Sequence, residues 1–100
     1  MDDEKRLGFI GIVMDDRAVA ADVNRTLGQH GRVIRARLGV PDANTAAAVI
    51  GLIVEGSNQE LGALTARLGN LPGVVVKSAL VRKSPATADP SGGLTEYEKR

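Results

Sequence analysis

The residues best suited to chemistry lie in the stretch QHGRVIRARLGVP, at positions 29–41. It holds His30, the single histidine of the chain, together with Arg35 and Arg37. If the stretch is a strand, residues two apart share a face, and the two guanidinium groups would form a clamp for a carboxylate or a phosphate. His30 would be a pH-sensitive ligand contact, or one metal ligand contributed by each subunit.

Each of these residues also has a purely structural interpretation. The helix dipole favours a histidine at the carboxyl end of a helix, so His30 and the glycine after it would simply end one. Charges on an edge strand discourage aggregation, and an arginine there forms salt bridges across a hairpin, here to Glu55 or Asp42. The structural interpretation is favoured for His30 and Arg35, whereas both interpretations stay open for Arg37.

A second charged group, Asp15-Asp16-Arg17, follows the first predicted strand. Asp16 suits the N-cap of a helix, and the backbone N–H groups of a helix amino terminus also attract anions. The candidate ligand site therefore comprises Asp16, Arg17, His30 and Arg37, with plain capping as the alternative for Asp16. No residue is assigned a catalytic or a metal-binding role.

Composition excludes several classes of function. With no cysteine and one histidine, the chain has no thiolate metal site, cysteine nucleophile or multi-histidine site, and we expect no cofactor. The net charge is +1 and the aromatic residues are one Phe and one Tyr, which argues against nucleic-acid binding by bulk charge or base stacking. No apolar run approaches the length of a membrane span and no secretory signal is visible, so we expect a cytoplasmic protein without a membrane partner.

The hydrophobic pattern predicts the order β-α-β-β-α-β. Strands are predicted near residues 7–14, 32–40, 46–56 and 74–83, and Ser57 and Glu60 have the spacing of a capping box before the second helix. This order predicts an α+β, ferredoxin-like fold, with a four-stranded antiparallel sheet in the order 4-1-3-2 and both helices on one face. The apolar stripes of the two helices are Val19, Val23 and Leu27, then Leu61, Leu64, Leu68 and Leu71.

Strand composition supports this order and predicts an interface. The first and third strands are apolar on both faces, as central strands should be, whereas the second and fourth carry basic residues. Because both helices cover the same face, the apolar side chains on the other face would be exposed in a monomer, which predicts at least a dimer through the sheet face or edge. In the second strand, the expected buried face is Ile34, Ala36, Leu38 and Val40, opposite a basic face with Arg35 and Arg37.

The sequence predicts one folded domain between two flexible ends. Residues 1–6 are charged after the first methionine, and residues 84–100 are rich in proline, serine, glycine and charge. The folded domain is therefore expected over residues 7–83.

Three stretches, MDDRAVAADVNRTLGQHG, RARLGVP and GALTARLGNLPGVVVKSALV, together resemble the small iron-only hydrogenase system regulators. The resemblance covers roughly residues 7–83 and implies an ACT-like domain, similar to the ligand-binding domain of nickel-responsive repressors, in a regulatory oligomer. Those repressors bind metal through several histidines and a cysteine, a set that this chain lacks. The resemblance implies no catalytic mechanism.

We therefore expect a non-enzymatic regulatory module that acts as a homo-oligomer, a dimer or a tetramer, in the regulation of an iron-only hydrogenase system. A small-molecule effector or a protein partner would bind at a subunit interface near Asp16, Arg17, His30 and Arg37. One alternative is a nucleic-acid-binding protein that uses the Arg35/Arg37 face, with binding that weakens steeply with salt. The other is a dimeric α+β barrel enzyme, which needs a polar group in a pocket between helices and sheet.

Overall fold

The computed structural model describes residues 4–42, 44–45 and 47–83. The four strands form one antiparallel sheet in the order β2-β3-β1-β4, which is the predicted order seen from the opposite edge. The fold is thus the predicted α+β, ferredoxin-like arrangement. Its elements are β1 (Lys5–Met14), α1 (Ala20–Gln29), β2 (Ile34–Pro41), β3 (Ala48–Ser57), α2 (Asn58–Gly69) and β4 (Val74–Arg82), with 3-10 turns at Arg17–Val19 and Gly31–Val33.

The folded domain begins slightly earlier than expected. β1 starts at Lys5, so two residues of the predicted flexible amino terminus are paired with β3 and β4. The predicted flexible tail, residues 84–100, lies outside the described residues. Within the described ranges, no helix is long and apolar enough to cross a membrane.

Capping confirms the predicted start of α2, whereas at α1 it acts on the 3-10 turn that precedes Ala20. The Asp16 carboxylate accepts a hydrogen bond from the Ala18 N–H at 2.9 Å and caps the 3-10 turn that leads into α1. At α2, Ser57 Oγ accepts from the Glu60 N–H at 3.0 Å, and Glu60 Oε1 accepts from the Ser57 N–H at 2.9 Å. This confirms the capping box, in which two otherwise unpaired donors are satisfied reciprocally.

The core lies between the two helices and one face of the sheet. Alternate residues of the central strands and the predicted helical stripes meet there. Thr26 is the buried polar residue among those described, and its hydroxyl donates to the Asp22 carbonyl at 3.0 Å. The buried apolar side chains are Ile10, Ile12, Met14, Val19, Val23, Leu27, Val33, Ile50, Leu52, Val54, Leu61, Leu64 and Leu68.

The second strand does not follow the predicted alternation. A register shift between Ile34 and Ala36 inserts an extra residue opposite β3, as in a β-bulge. Ile34, before the bulge, stays on the helix side of the sheet. After the bulge, every second residue from Ala36 onward points to the opposite side. Ala36, Leu38 and Val40 are exposed on the helix-free face, not buried, and Arg37 and Gly39 lie on the helix side.

The helix-free side of the sheet, called the open sheet face below, is strongly apolar. Phe9 lies near its centre, and its ring crosses two glycines of the central strands. A methyl group added to Gly51 would lie 2.9 Å from one ring carbon, and one added to Gly11 would lie 3.1 Å from another. Eight large side chains, between 43% and 71% exposed, point to this face: Phe9, Val13, Leu38, Val40, Val49, Ile53, Val75 and Val81.

Candidate functional site

Two of the four predicted ligand residues share a groove between α1 and the edge strand β2. The groove measures about 280 Å³, and the residues that define this edge groove are Arg17, Asn24, Arg37, Gly39, Val40 and Val49. Arg17 Nη2 donates to the backbone carbonyl of Asp42 at 3.1 Å, and Arg37 Nη2 donates to Asn24 Oδ1 at 3.0 Å. Neutral oxygens therefore hold both guanidinium groups.

The other two candidates lie elsewhere. Asp16 caps the turn before α1 and lines a separate depression with Asp15 and Gly73. His30 is half-buried at the carboxyl end of α1, where Nδ1 lies 2.9 Å from the Thr26 carbonyl oxygen. The structure thus brings Arg17 and Arg37 together and does not bring Asp16 or His30 to them.

Arg35 and Arg37 do not form the expected clamp. The bulge places Arg37 opposite Leu52, on the helix side, whereas Arg35 reaches Glu55 at 3.5 Å on the open sheet face. The predicted salt bridge across the hairpin to Glu55 is present, and Arg35 makes it. The shared basic face of the second strand was therefore a wrong prediction, because the bulge breaks the two-residue period on which it depended.

Asn24 is the site residue that sequence reasoning missed. It lies off the apolar stripe of α1 and is exposed, so nothing in the helical pattern marks it. Only the packing of α1 beside β2 shows that its side-chain oxygen fixes the Arg37 guanidinium.

Carboxylates near the groove and at the far end of the sheet are already engaged. Asp42 accepts from the Asn44 N–H and the Thr45 hydroxyl, both at 2.9 Å, and these bonds lower its pKa below the usual range. At the other end of β3, a hydrogen bond of 2.5 Å from Lys83 lowers the pKa of Glu55, with Arg35 adding to the effect. The Ser57 N–H likewise lowers the pKa of Glu60.

These lowered pKa values predict acid-sensitive stability. A carboxylate with a folded-state pKa below its unfolded value of about 4.3 stabilises the fold at higher pH, and this contribution is lost as pH falls through the folded-state pKa. The melting temperature should therefore decrease as the pH is lowered below about 4. In Glu55→Gln the fall should be smaller, because the carboxylate whose pKa Lys83 lowers is gone. Identical acid profiles for Glu55→Gln and the unmodified protein would contradict this assignment.

The edge groove has the chemistry of an anion-binding site. Two guanidinium groups and one carboxamide supply several N–H donors, beside the apolar residues Ala20, Ala48 and Ile50 on the helix side of the sheet. No side chain lining it is a nucleophile paired with a base. Among the described residues, no three His, Asp or Glu side chains are grouped to hold a metal ion.

Fold and groove together define a ferredoxin-like domain with a groove at its sheet edge. Over residues 6–78 the chain matches the family described as "TM1266-like: Iron-only hydrogenase system regulator, putative". The uncharacterized protein TM1266 from Thermotoga maritima is 35% identical, and the match covers 79% of this chain and all of that one with a TM-score of 0.73. The chain belongs to this TM1266-like family.

More distant solved structures share the fold. The C-terminal domain of the MgtC protein from Mycobacterium tuberculosis is 16% identical with a TM-score of 0.59, over 86% of this chain and 98% of that one. The apo form of CPII from Thiomonas intermedia K12, a nitrogen regulatory PII-like protein, is 16% identical with a TM-score of 0.51, over 78% of this chain and 91% of that one. No protein with a curated description is significantly similar to the chain.

Proposed function

We propose that this chain is a non-enzymatic regulatory module of an iron-only hydrogenase system, and that it acts as a homo-oligomer through its open sheet face. The observation that carries the proposal is the set of eight large hydrophobic side chains exposed on that face. Soluble monomers rarely expose apolar patches of this extent, and such patches mark interaction surfaces. Membership of a family described as regulatory supports the regulatory part.

The size of the open sheet face matches what a stable dimer requires. Four strands spaced about 4.8 Å apart and some ten residues long span roughly 20 by 30 Å. That projection is about 600 Å², and its accessible surface is larger because side chains corrugate it, close to the roughly 800 Å² that each partner buries in a standard interface. Two such faces stack about 10 Å apart.

The distribution of polarity on this face favours a second copy as its occupant. Charges on this face are grouped away from its centre: Arg35 and Lys83 pair with Glu55 at the end of β3, and Lys77 lies on the edge strand β4. The centre is formed by Phe9 over paired glycines, next to Ile53. A central aromatic residue within an apolar patch is the usual arrangement of a binding hot spot, and a symmetric dimer places the same patch on both sides.

A binding role fits the interior better than a catalytic one. The space between helices and sheet is filled by apolar side chains, and Thr26, its buried polar residue, is hydrogen-bonded within α1. A barrel enzyme would need a polar group facing a pocket there. Nucleic-acid binding would have required Arg35 and Arg37 on one face. Arg35 is instead paired with Glu55, and Arg37 lies on the other face.

Effector binding at the oligomer is the finer part of the proposal. Of the four predicted ligand residues, Arg17 and Arg37 carry it, because they line one groove, whereas Asp16 and His30 lie outside that groove.

Native mass spectrometry of the full chain, purified gently from its own host, tests the proposal. We expect a dimer or a larger oligomer with a stoichiometric additional mass. An oligomer without additional mass would support self-association and would indicate a protein partner instead of a bound effector. A bare monomer at micromolar concentration would contradict the proposal.

A further inference from the structure

We propose that the edge groove binds a small molecule through a carboxylate or phosphate group held between Arg17 and Arg37, and that the bound anion changes how two copies pack on the open sheet face. The anion site stands on the geometry of one chain. Its effect on packing rests on the proposed function, since it requires the dimer.

The charge around the groove supports an anion. Arg17 and Arg37 each donate to a neutral oxygen, which orients the guanidinium group. The Asp42 carboxylate compensates the charge of Arg17 only in part, because it forms no salt bridge with it. Within the described ranges, no carboxylate oxygen lies within 4.0 Å of either group. Four other arginines, in contrast, are each paired with a carboxylate: Arg25 with Asp22, Arg32 with Glu60, Arg35 with Glu55 and Arg82 with Glu4.

Asp42, whose backbone carbonyl accepts from Arg17, does not place its carboxylate in the site. Its carboxylate oxygens accept from the Asn44 N–H and the Thr45 hydroxyl within its own turn. It therefore presents its backbone carbonyl to Arg17. The remaining N–H donors of both guanidinium groups stay available for the bidentate contacts that carboxylates and phosphates accept.

The shape of the groove indicates the rest of the ligand. Gly39 lies between Arg37 and Pro41 on the helix side, and a side chain at that position would point into the groove. A Cβ atom there would meet only Ile50 Cγ1, at 3.7 Å, so glycine leaves open space and is not required by packing. Ala20, Ala48 and Ile50 form an apolar wall on the helix side. The geometry fits a compact anion with an apolar portion.

The groove is continuous with the open sheet face around the edge of β2. Arg37, Val40 and Val49 line the edge groove and also a depression on that face beside Phe9. Val40 and Val49 are directly paired across β2 and β3. A ligand bound against this strand edge would contact residues that the partner copy also covers. Its affinity for the monomer and for the dimer would then differ, and this difference would shift the association equilibrium.

The anion site can be tested by nuclear magnetic resonance of the ¹⁵N-labelled full chain. Inorganic phosphate and malonate are added in separate titrations while the Nε–H signals of the arginines and the Asn24 side-chain amide are followed. We expect saturable shifts at Arg17, Arg37 and Asn24 with at least one probe, and the stronger probe identifies the anion class. Linear shifts of similar size at all arginines would overturn the proposal.

Three variants make the titration specific. Arg37→Gln should weaken binding at least fivefold, because one of the two charges is lost. Gly39→Leu should weaken it at least fivefold with both arginines intact, because the side chain fills the groove. Arg25→Gln, which removes an exposed arginine next to Asn24 on α1, should leave binding unchanged. Equal affinity in all three variants would overturn the site.

The effect on packing is measured by sedimentation equilibrium with and without the stronger probe. We expect the dimer dissociation constant to change at least threefold in the unmodified protein and to stay constant in Arg37→Gln. An unchanged constant in both would overturn the packing effect. If the protein is monomeric but the titration saturates at Arg37, the proposed dimer is wrong and the anion site is supported. If the protein is a dimer but no shift saturates, the anion site is wrong and the dimer is supported.

Discussion

Substituting Leu38→Glu should weaken self-association by about 100-fold or more, with little effect on the stability of the isolated subunit. Leu38 is 71% exposed on the open sheet face, opposite Gly51 of β3, so the folded monomer tolerates a carboxylate there. A symmetric dimer, however, receives the substitution twice and must desolvate two like charges within an apolar interface. Costs of several kcal/mol are typical, and about 2.8 kcal/mol corresponds to 100-fold.

The matched control for this variant is Ala63→Glu. Ala63 is exposed on α2, on the opposite side of the molecule, and the substitution adds the same charge. Sedimentation equilibrium should show weaker association for Leu38→Glu alone. Equal association of both variants would mean that the open sheet face is not the interface.

Gly8→Ala should lower the free energy of unfolding by about 3 kcal/mol, at the upper end of what overpacking usually costs. Gly8 lies in β1 and pairs with Leu80 of the edge strand β4. A methyl group at Gly8 would overlap the Ala79 carbonyl oxygen and lie 2.8 Å from Leu80 Cα. Both are backbone atoms, so no side-chain rotation relieves the overlap and the two strands must separate.

Gly62→Ala, in contrast, should raise the free energy of unfolding. Gly62 is exposed in the middle of α2, and a methyl group there would meet nothing within 4 Å outside the helix backbone. Alanine has the higher helix propensity, so Gly62→Ala should add about 0.5–1 kcal/mol. Urea unfolding of the two variants provides the comparison. A loss below about 1 kcal/mol in Gly8→Ala would contradict the close approach of β1 and β4.

The sequence predicts those parts of the fold that depend on local patterns. Asp16 marks the 3-10 turn that leads into α1, and the Ser57/Glu60 pair marks the start of α2, because capping needs only residues a few positions apart. The stripes of Val23 and Leu64 mark the buried faces because helical periodicity is regular. The strand order follows because the central strands are apolar on both faces.

The bulge in β2 could not be predicted because it leaves no local pattern. The residues around it alternate as in a regular strand, and no glycine or proline interrupts Ile34, Arg35 and Ala36. The bulge becomes visible only in the pairing with β3, where one extra residue reverses every later side chain. For this reason Leu38 is exposed and Arg37 faces α1.

The candidate site was predicted in part for a related reason. Arg17 and Arg37 lie twenty positions apart, yet the sheet brings them to one groove. His30 is nearer to Arg37 in the chain but follows the last turn of α1, and a ten-residue helix is about 15 Å long. Distance along the chain therefore does not decide which side chains share the groove, and the Asn24–Arg37 contact required the tertiary structure.

Intermolecular nuclear Overhauser effects would test the central claim, association through the open sheet face, most directly. Phe9 is the only phenylalanine in the chain, so its ring signals are unambiguous in a sample mixed from ¹³C-labelled and unlabelled protein. We expect contacts between the Phe9 ring of one subunit and the exposed valine, leucine and isoleucine methyl groups of the other. Intermolecular contacts confined to the helices or the β4 edge, or none at all, would contradict the account.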